Sequence, residues 1–342
     1  MNAPAPAAKR QPKDYASDQE VRWCPGCGDY AILKGVQKAL GDIGADPVNT
    51  VFVSGIGCAS RFPYYVSTYG FHTIHGRAPA IATGIKLANP SLDVWIVSGD
   101  GDALSIGGNH LLHLLRRNVN VQFLLFNNEI YGLTKGQYSP TSKVGTRSPS
   151  TPLGSVDMPV SATQFALGAG ARFVARAIDT QQKQLPVVLA RAHAHHGTSF
   201  VEIFQNCIVY NDGAFDNFTA KETADAHQLH LEHGKPMLFG PDRKQGLRLK
   251  PGNLELEVIT VGANGVTEAD VLVHDEKNRV QAMMLATLQP PAFPVALGVL
   301  YCNPALTYEQ AMADQAKVTL ARQPDGDLNK LLRKGHTWTV SA

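Results

Sequence analysis

Two apolar runs, Val94–Ser98 and Val121–Phe126, each stop on a polar turn, and this pairing constrains the fold more than any other feature of the chain. The first run leads into Gly99-Asp100-Gly101-Asp102, the second into Asn127-Asn128-Glu129-Ile130-Tyr131-Gly132, with about one helix of sequence between them. Runs this uniformly apolar fit strands buried on both faces of a parallel sheet. Thr50–Ser54 and Ser199–Phe204 have the same character. Helical patterns at Ala31–Leu40, Pro79–Ala88, Leu104–Arg117, Ala162–Gly170 and Thr180–Ala194 alternate with them. The alternation predicts a doubly wound α/β domain with a mostly parallel sheet, whose ligands bind outside the carboxyl ends of the strands.

Around this centre the chain divides into three parts. Residues 1–17, rich in Ala, Pro and Lys and lacking an apolar core segment, read as a flexible tail and not as a secretory signal. Residues 18–240 form the ligand-binding domain, and 241–342 read as a C-terminal extension. Lys135–Pro159 is expected to be a long ordered loop over a site, because structureless loops of that length in compact domains are usually functional. Ala220–Leu231 has helical character, Pro241–Asn253 is turn-rich, and Leu254–Val261 looks like a further strand. A net charge of +2 with scattered basic residues gives no footing for nucleic acid or a membrane surface. No apolar run reaches the roughly 20 residues that span a bilayer. A cytoplasmic setting is expected, where five cysteines, an odd number, serve metals or chemistry more often than disulfides.

The two polar turns have a shared chemistry. Gly99 and Gly101 let backbone approach a diphosphate and donate N–H groups to it, with Asp102 beside them. Asp100 supplies one hard oxygen to Mg²⁺, and the next strand delivers the Asn128 side chain and the Ile130 carbonyl to the same point. Two phosphate oxygens and a water complete the octahedron that magnesium demands. A lone Gly-Asp-Gly is also a common turn, but this spacing at successive strand ends matches the signature of thiamine diphosphate enzymes.

Cys24 and Cys27 lie on one tight turn, and Cys58 follows Gly55-Ile56-Gly57 at a strand end. Thiolates of this kind suit either a structural zinc ion or an iron–sulfur cluster, and spacing alone does not choose. Cys302 fits neither pattern and reads as a buried apolar cysteine. His193, His195 and His196 sit where a helix ends and fit its dipole better than a metal. Leu111, Leu112, Leu114 and Leu115 are a helix core face, and Tyr64 and Tyr65 fit either a pocket or simple packing.

Taken in order, Trp23-Cys24-Pro25-Gly26-Cys27-Gly28, Gly55-Ile56-Gly57-Cys58, His72-Thr73-Ile74-His75-Gly76-Arg77, Gly99-Asp100-Gly101, Asn127-Asn128 and Gly132-Leu133-Thr134-Lys135-Gly136-Gln137 resemble the β subunit of the 2-oxoacid:ferredoxin oxidoreductases. The resemblance runs from about Trp23 to Asp212. It implies the diphosphate-domain fold of thiamine enzymes, with Gly57, Cys58, His75, Gly132, Leu133 and Thr134 joining the two turns around thiamine diphosphate and Mg²⁺. It implies that Cys207, after the Ser199–Phe204 strand, is the fourth ligand of one [4Fe–4S] cluster with Cys24, Cys27 and Cys58. Arg61 and His75 are its candidate catalytic residues: an arginine fork at position 61 suits a dicarboxylic 2-oxoacid such as 2-oxoglutarate. The implied reaction is a reversible, coenzyme A-acylating oxidative decarboxylation that sends electrons to ferredoxin. An α subunit is implied to supply the glutamate of the pyrimidine domain and the coenzyme A contacts. The alternatives are a pyruvate-specific or broad-specificity subunit of the same family, and a non-redox thiamine lyase or synthase with structural zinc.

Overall fold

The computed structural model describes residues 10–322 and 326–341. The first half of the chain alternates as expected: α1 (Asp29–Ile43), β1 (Thr50–Ser54), β2 (Tyr69–His72), α2 (Ala78–Ala88), β3 (Asp93–Gly99), α3 (Asp100–Leu104), α4 (Gly108–Arg117) and β4 (Gln122–Asn127). A small hairpin, β5 (Ile130–Tyr131) with β6 (Gln137–Tyr138), opens the long loop, and α5 (Ala162–Gly168), β7 (Phe173–Ile178), α6 (Leu185–Ala194) and β8 (Ser199–Phe204) follow it. The remainder holds α7 (Asp216–Thr219), α8 (Lys221–His227), β9 (Gln228–His230), β10 (Leu238–Phe239), β11 (Gln245–Leu249), β12 (Leu256–Thr260), α9 (Arg279–Leu285), β13 (Val295–Cys302), α10 (Tyr308–Arg322) and α11 (Leu328–Leu332).

The main sheet has eight strands in the order β2-β1-β3-β4-β8-β7-β13-β9, parallel throughout except where β13 runs antiparallel to β7. Its faces are apolar on both sides, which is why its strands read as unbroken hydrophobic runs. Val51, Val53, Val94 and Ile96 pack with α2, α4, α5 and α9 in one core, while Phe52, Trp95, Val97 and Leu124 pack with α1 and α6 in the other. The sheet is therefore doubly wound. The chain passes from β1 outward to β2 and then crosses back over β1 to β3, so the strand order reverses between β1 and β3 and a crevice opens at the carboxyl ends.

Several expectations give way to the structure. Residues 1–9 of the expected tail lie outside the described residues, but Pro12–Tyr15 form a 3₁₀ turn rather than a flexible segment. Tyr15 is fully buried, and its hydroxyl donates to the carbonyls of Leu40 and Ala45 at 3.1 and 2.7 Å. Of the helix expected over Leu104–Arg117, Gly108–Arg117 forms as α4, while α3 ends at Leu104 and the chain turns through Ser105–Gly107, where backbone of Asp102, Ala103 and Gly76 packs closely against Gly107. Only Lys221–His227 of the helical Ala220–Leu231 segment is helix, since Gln228–His230 pairs with β13. The turn-rich Pro241–Asn253 segment contains β11, the middle strand of a three-stranded antiparallel sheet. Residues 241–342 are also woven into the main sheet through β13.

Candidate functional site

Gly57, Cys58, His75, Gly99, Asp100, Gly101, Asp102, Asn128, Ile130, Gly132, Leu133 and Thr134 all line one cavity at the carboxyl ends of β1, β3 and β4. Parallel strands bring these distant turns together because every one of them ends at the same edge of the sheet. Gly101 is needed for packing: a Cβ there would lie 2.2 Å from the ring of Tyr131, whose hydroxyl donates to the Gly101 carbonyl at 3.0 Å.

Asp100 is buried, and desolvation pushes its carboxyl above the usual range. Donors oppose this. Ser139 and Thr141 hydroxyls reach its Oδ2 at 2.5 and 2.6 Å, and the backbone N–H of Asn128 also donates to the carboxylate. The Asn128 amide is fixed at both ends, its Oδ1 accepting from the Ile130 N–H at 3.2 Å and its Nδ2 donating to Gln205 Oε1 at 2.7 Å. The hard oxygens of Asp100, Asn128 and Ile130 thus stand at adjacent strand ends, a donor set suited to Mg²⁺.

Asp102 lines the cavity, but its oxygens are engaged by the protein. Oδ1 accepts from the backbone N–H of Gly76 at 2.9 Å and of Ile56 at 3.2 Å and meets His75 Nδ1 at 3.0 Å, while Oδ2 accepts from Ser98 at 2.8 Å. It fastens the turns after β1 and β2 to the end of β3, a positioning role within the lining of the cavity. His75, held through Nδ1, keeps Nε2 as the ring atom able to meet a ligand. Behind this cavity, Asn127 donates to Glu202 at 2.8 Å and Glu202 pairs with Arg176 at 2.9 Å, all three buried.

A second cavity is lined by Cys24, Cys27, Cys58 and Cys207, together with Trp23, Arg61, Gln205 and Ile208. Three separate segments supply the thiols. The Trp23 indole donates to the Cys58 carbonyl at 2.8 Å, and the Gly28 N–H donates to the Asn206 carbonyl at 3.1 Å, which stitches the three together. Burial, with the nearby Asp29 carboxyl next in effect, pushes the Cys58 thiol up to about 11 and raises Cys27 as well. Thiols in such a site ionise only when a metal draws off their protons.

The two cavities share Cys58, Asn128, Gly132 and Leu133. Gly132 lies close against the thiols: a Cβ there would come within 3.5 Å of Cys207 Sγ and 3.7 Å of Cys58 Sγ. Arg61 lies on the thiol side, its Nη1 donating to the Arg22 carbonyl at 2.8 Å, and it does not line the first cavity. Cys302 is remote from both, its sulfur 3.9 Å from His195 Nδ1. Ser139, Thr141 and Gln205 are the site residues that sequence reasoning missed; the first two lie in the long loop whose hydroxyl-rich composition was the available signal.

Residues 55–203 match the family described as thiamine pyrophosphate enzyme, C-terminal TPP binding domain. That range runs from the turn after β1 almost to the end of the strand β8, so fold and site together define a thiamine diphosphate-binding domain. Over 333 residues, 96% of this chain and 88% of the relative, the sequence is 49% identical to 2-oxoglutarate oxidoreductase subunit KorB of Mycobacterium tuberculosis. It is 45% identical to 2-oxoacid:ferredoxin oxidoreductase 1, subunit beta, of Aeropyrum pernix over 60% of this chain and 64% of that one. The fold superposes with a TM-score of 0.76, 33% identity and coverage of 96% and 97% on a chain of the 2-oxoglutarate:ferredoxin oxidoreductase from Magnetococcus marinus, solved with 2-oxoglutarate, coenzyme A and succinyl-CoA bound. The chain belongs to the β subunits of the 2-oxoacid:ferredoxin oxidoreductases. Its likeness to the mycobacterial relative extends well past Asp212, where the motif resemblance stopped.

Proposed function

We propose that the chain is the catalytic β subunit of a 2-oxoglutarate:ferredoxin oxidoreductase that binds thiamine diphosphate with Mg²⁺ and one [4Fe–4S] cluster. The observation that carries this reading is the common wall of the two cavities, one presenting hard oxygens and backbone amides, the other thiols. Bound there, thiamine diphosphate supplies the carbanion chemistry of decarboxylation, and the protein groups orient it and supply charge. Asp100, Asn128 and the Ile130 carbonyl would hold Mg²⁺, Gly99 and Gly101 would admit the diphosphate, and Asp102 holds His75 through Nδ1 in the cavity lining. Gly57, Cys58, Leu133 and Thr134 enclose the cofactor.

A zinc site would need ligand atoms about 2.3 Å from one point. Four thiols lining one cavity suit a zinc ion or a polynuclear cluster, and the naming of the relatives as oxidoreductases favours the cluster. A one-electron acceptor beside the thiamine distinguishes an oxidoreductase from a lyase or synthase. The names of the relatives matched over most of this chain favour 2-oxoglutarate over pyruvate, and Arg61 is the residue we assign to the distal carboxylate.

The products are succinyl-CoA and CO₂, in a reaction open to reversal, with ferredoxin as carrier. An α subunit supplies the pyrimidine-domain glutamate and the coenzyme A contacts. Leu133, Ile74 and Ile106, exposed apolar side chains near the mouth of the thiamine cavity, suit such a cover. Among the described residues no helix is long and apolar enough to cross a membrane, and we assign the complex to the cytoplasm.

The test is the co-expressed αβ complex assayed for coenzyme A-dependent viologen reduction across a panel of 2-oxoacids. The reading requires turnover with 2-oxoglutarate as the best substrate. Within that assay Arg61→Ala is expected to raise KM for 2-oxoglutarate by about tenfold or more while leaving pyruvate nearly untouched, the pattern of a lost carboxylate contact. Equal losses on both acids would remove Arg61 from substrate recognition.

A further inference from the structure

One buried side chain touches both halves of the site. Gln205, 1% exposed, follows β8 and lies two residues before Cys207. Its Nε2 donates to Cys27 Sγ at 3.3 Å and to the Asn206 carbonyl at 2.6 Å, while its Oε1 accepts from Asn128 Nδ2 at 2.7 Å. Both atoms are therefore committed, because a flipped amide would break the contacts to the Asn206 carbonyl and to Asn128 Nδ2. Asn128 is committed in turn, because giving its N–H₂ to Gln205 leaves Oδ1 as the only atom it can offer on the other side.

We propose that Gln205 is a positioning residue that serves both cofactors at once, holding Asn128 Oδ1 toward the metal and donating an N–H···S hydrogen bond to the Cys27 thiolate. The inference rests on the reading of the two cavities given above. Its chemistry is general. A hydrogen bond to a ligating sulfur stabilises the reduced, more negative cluster and raises its potential. An outer hydrogen bond to a metal ligand fixes the ligand's orientation and is worth about 10–100-fold in metal affinity. In most sites different residues supply these two effects. Here they pass through one amide, so a single substitution changes the electron acceptor and the magnesium ligand together.

The test uses the anaerobically prepared αβ complex with Gln205→Leu and Gln205→Glu. Two quantities are read: the cluster midpoint potential in a redox titration followed by electron paramagnetic resonance, and the affinity for Mn²⁺ in place of Mg²⁺ in the presence of thiamine diphosphate. Gln205→Leu removes both contacts. Its expected result is a lower potential, with the reduced-to-oxidised ratio at fixed poise falling about tenfold (about 59 mV for one electron) and Mn²⁺ held about tenfold less tightly. Gln205→Glu, followed over a pH series with its carboxylate band read by infrared because burial raises a carboxyl, retains when ionised an acceptor for Asn128 and has no N–H for Cys27. It is expected to lower the potential at least as far while keeping Mn²⁺ affinity within about threefold of the parent. A merely structural role would not separate these two readouts.

An unchanged potential in both variants with a full complement of iron overturns the inference, as does a loss of Mn²⁺ affinity in Gln205→Glu equal to that in Gln205→Leu. Should the leucine variant lose its iron, the glutamate variant decides alone, an unshifted potential counting against the proposal. A parent complex without iron in the thiol cavity contradicts the underlying reading instead, and is seen before any variant is made.

Discussion

The thiamine cavity and the thiol cavity meet at Gly132, yet they are built in opposite ways. The first is a set of strand ends whose polar groups satisfy one another without any ligand: Asp100 is cradled by Ser139 and Thr141, and Asp102 accepts from Ile56, Gly76 and Ser98 and meets His75. The second gathers thiols from three segments, and burial keeps at least Cys27 and Cys58 protonated. A preformed oxygen site beside a sulfur site that would need a metal to ionise its thiols follows from the chemistry of the donors. Carboxylates find hydrogen bonds inside a protein, while thiolates crowded together need cations.

The contrast can be broken from either side. Asp100→Ala is expected to abolish metal-dependent thiamine diphosphate binding, at least a hundredfold loss by fluorescence titration, while the iron content stays near that of the parent. Cys207→Ser should do the reverse, removing the cluster's visible absorption while thiamine diphosphate affinity changes less than about threefold. If either variant lost both cofactors while retaining a cooperative unfolding transition, the two sites would not be separable as described.

Smaller effects sharpen the account of what is preformed. Asp102→Ala strands the N–H groups of Ile56 and Gly76, and we expect a loss of roughly 3 kcal/mol in urea unfolding of the metal-free protein. A negligible change would mean that the turns after β1 and β2 hold their places without it. His195, distant from both cavities, supplies a control. Burial drives its pKa down to about 4, against 6.5 in the unfolded chain, so the unfolded state takes up the extra proton as pH falls between those values. Its contribution is complete above about 6.5 and is lost toward 4 at up to roughly 1.4 kcal/mol per pH unit. His195→Phe should flatten that part of the urea-midpoint profile, and an unaltered slope would show the ring to be solvated.

Legibility in the sequence followed the same divide. β1, β3, β4 and β8 announced themselves as apolar runs, and the polar turns at their ends could be read because glycine and acid residues sit there for local reasons. β7 was hidden by Arg176 in its middle, a charge tolerated because Glu202 on the adjacent β8 pairs with it inside the protein. β13 was hidden by its surroundings: it follows the Pro-rich Gln289–Pro294 segment and enters the sheet antiparallel, outside the strand–helix rhythm. The break before α4 is marked in the sequence by Gly107-Gly108, whereas the reason for a glycine at 107, the close backbone of Asp102, Ala103 and Gly76, shows only in the fold. Gln205 is the clearest case of a residue no local pattern marks, because its meaning lies in Cys27 and Asn128, which only the fold brings to it.

The central claim is that a soft-metal site in this chain lies against the thiamine site across the Gly132 wall. Anomalous diffraction at the iron edge, from crystals of the αβ complex grown without oxygen and soaked in thiamine diphosphate and Mg²⁺, tests it most directly. The account predicts an iron peak among Cys24, Cys27, Cys58 and Cys207, with diphosphate density ending on Asp100 and Asn128 on the other side of Gly132. Iron found only in the partner subunit, or a zinc edge at these thiols, would contradict it.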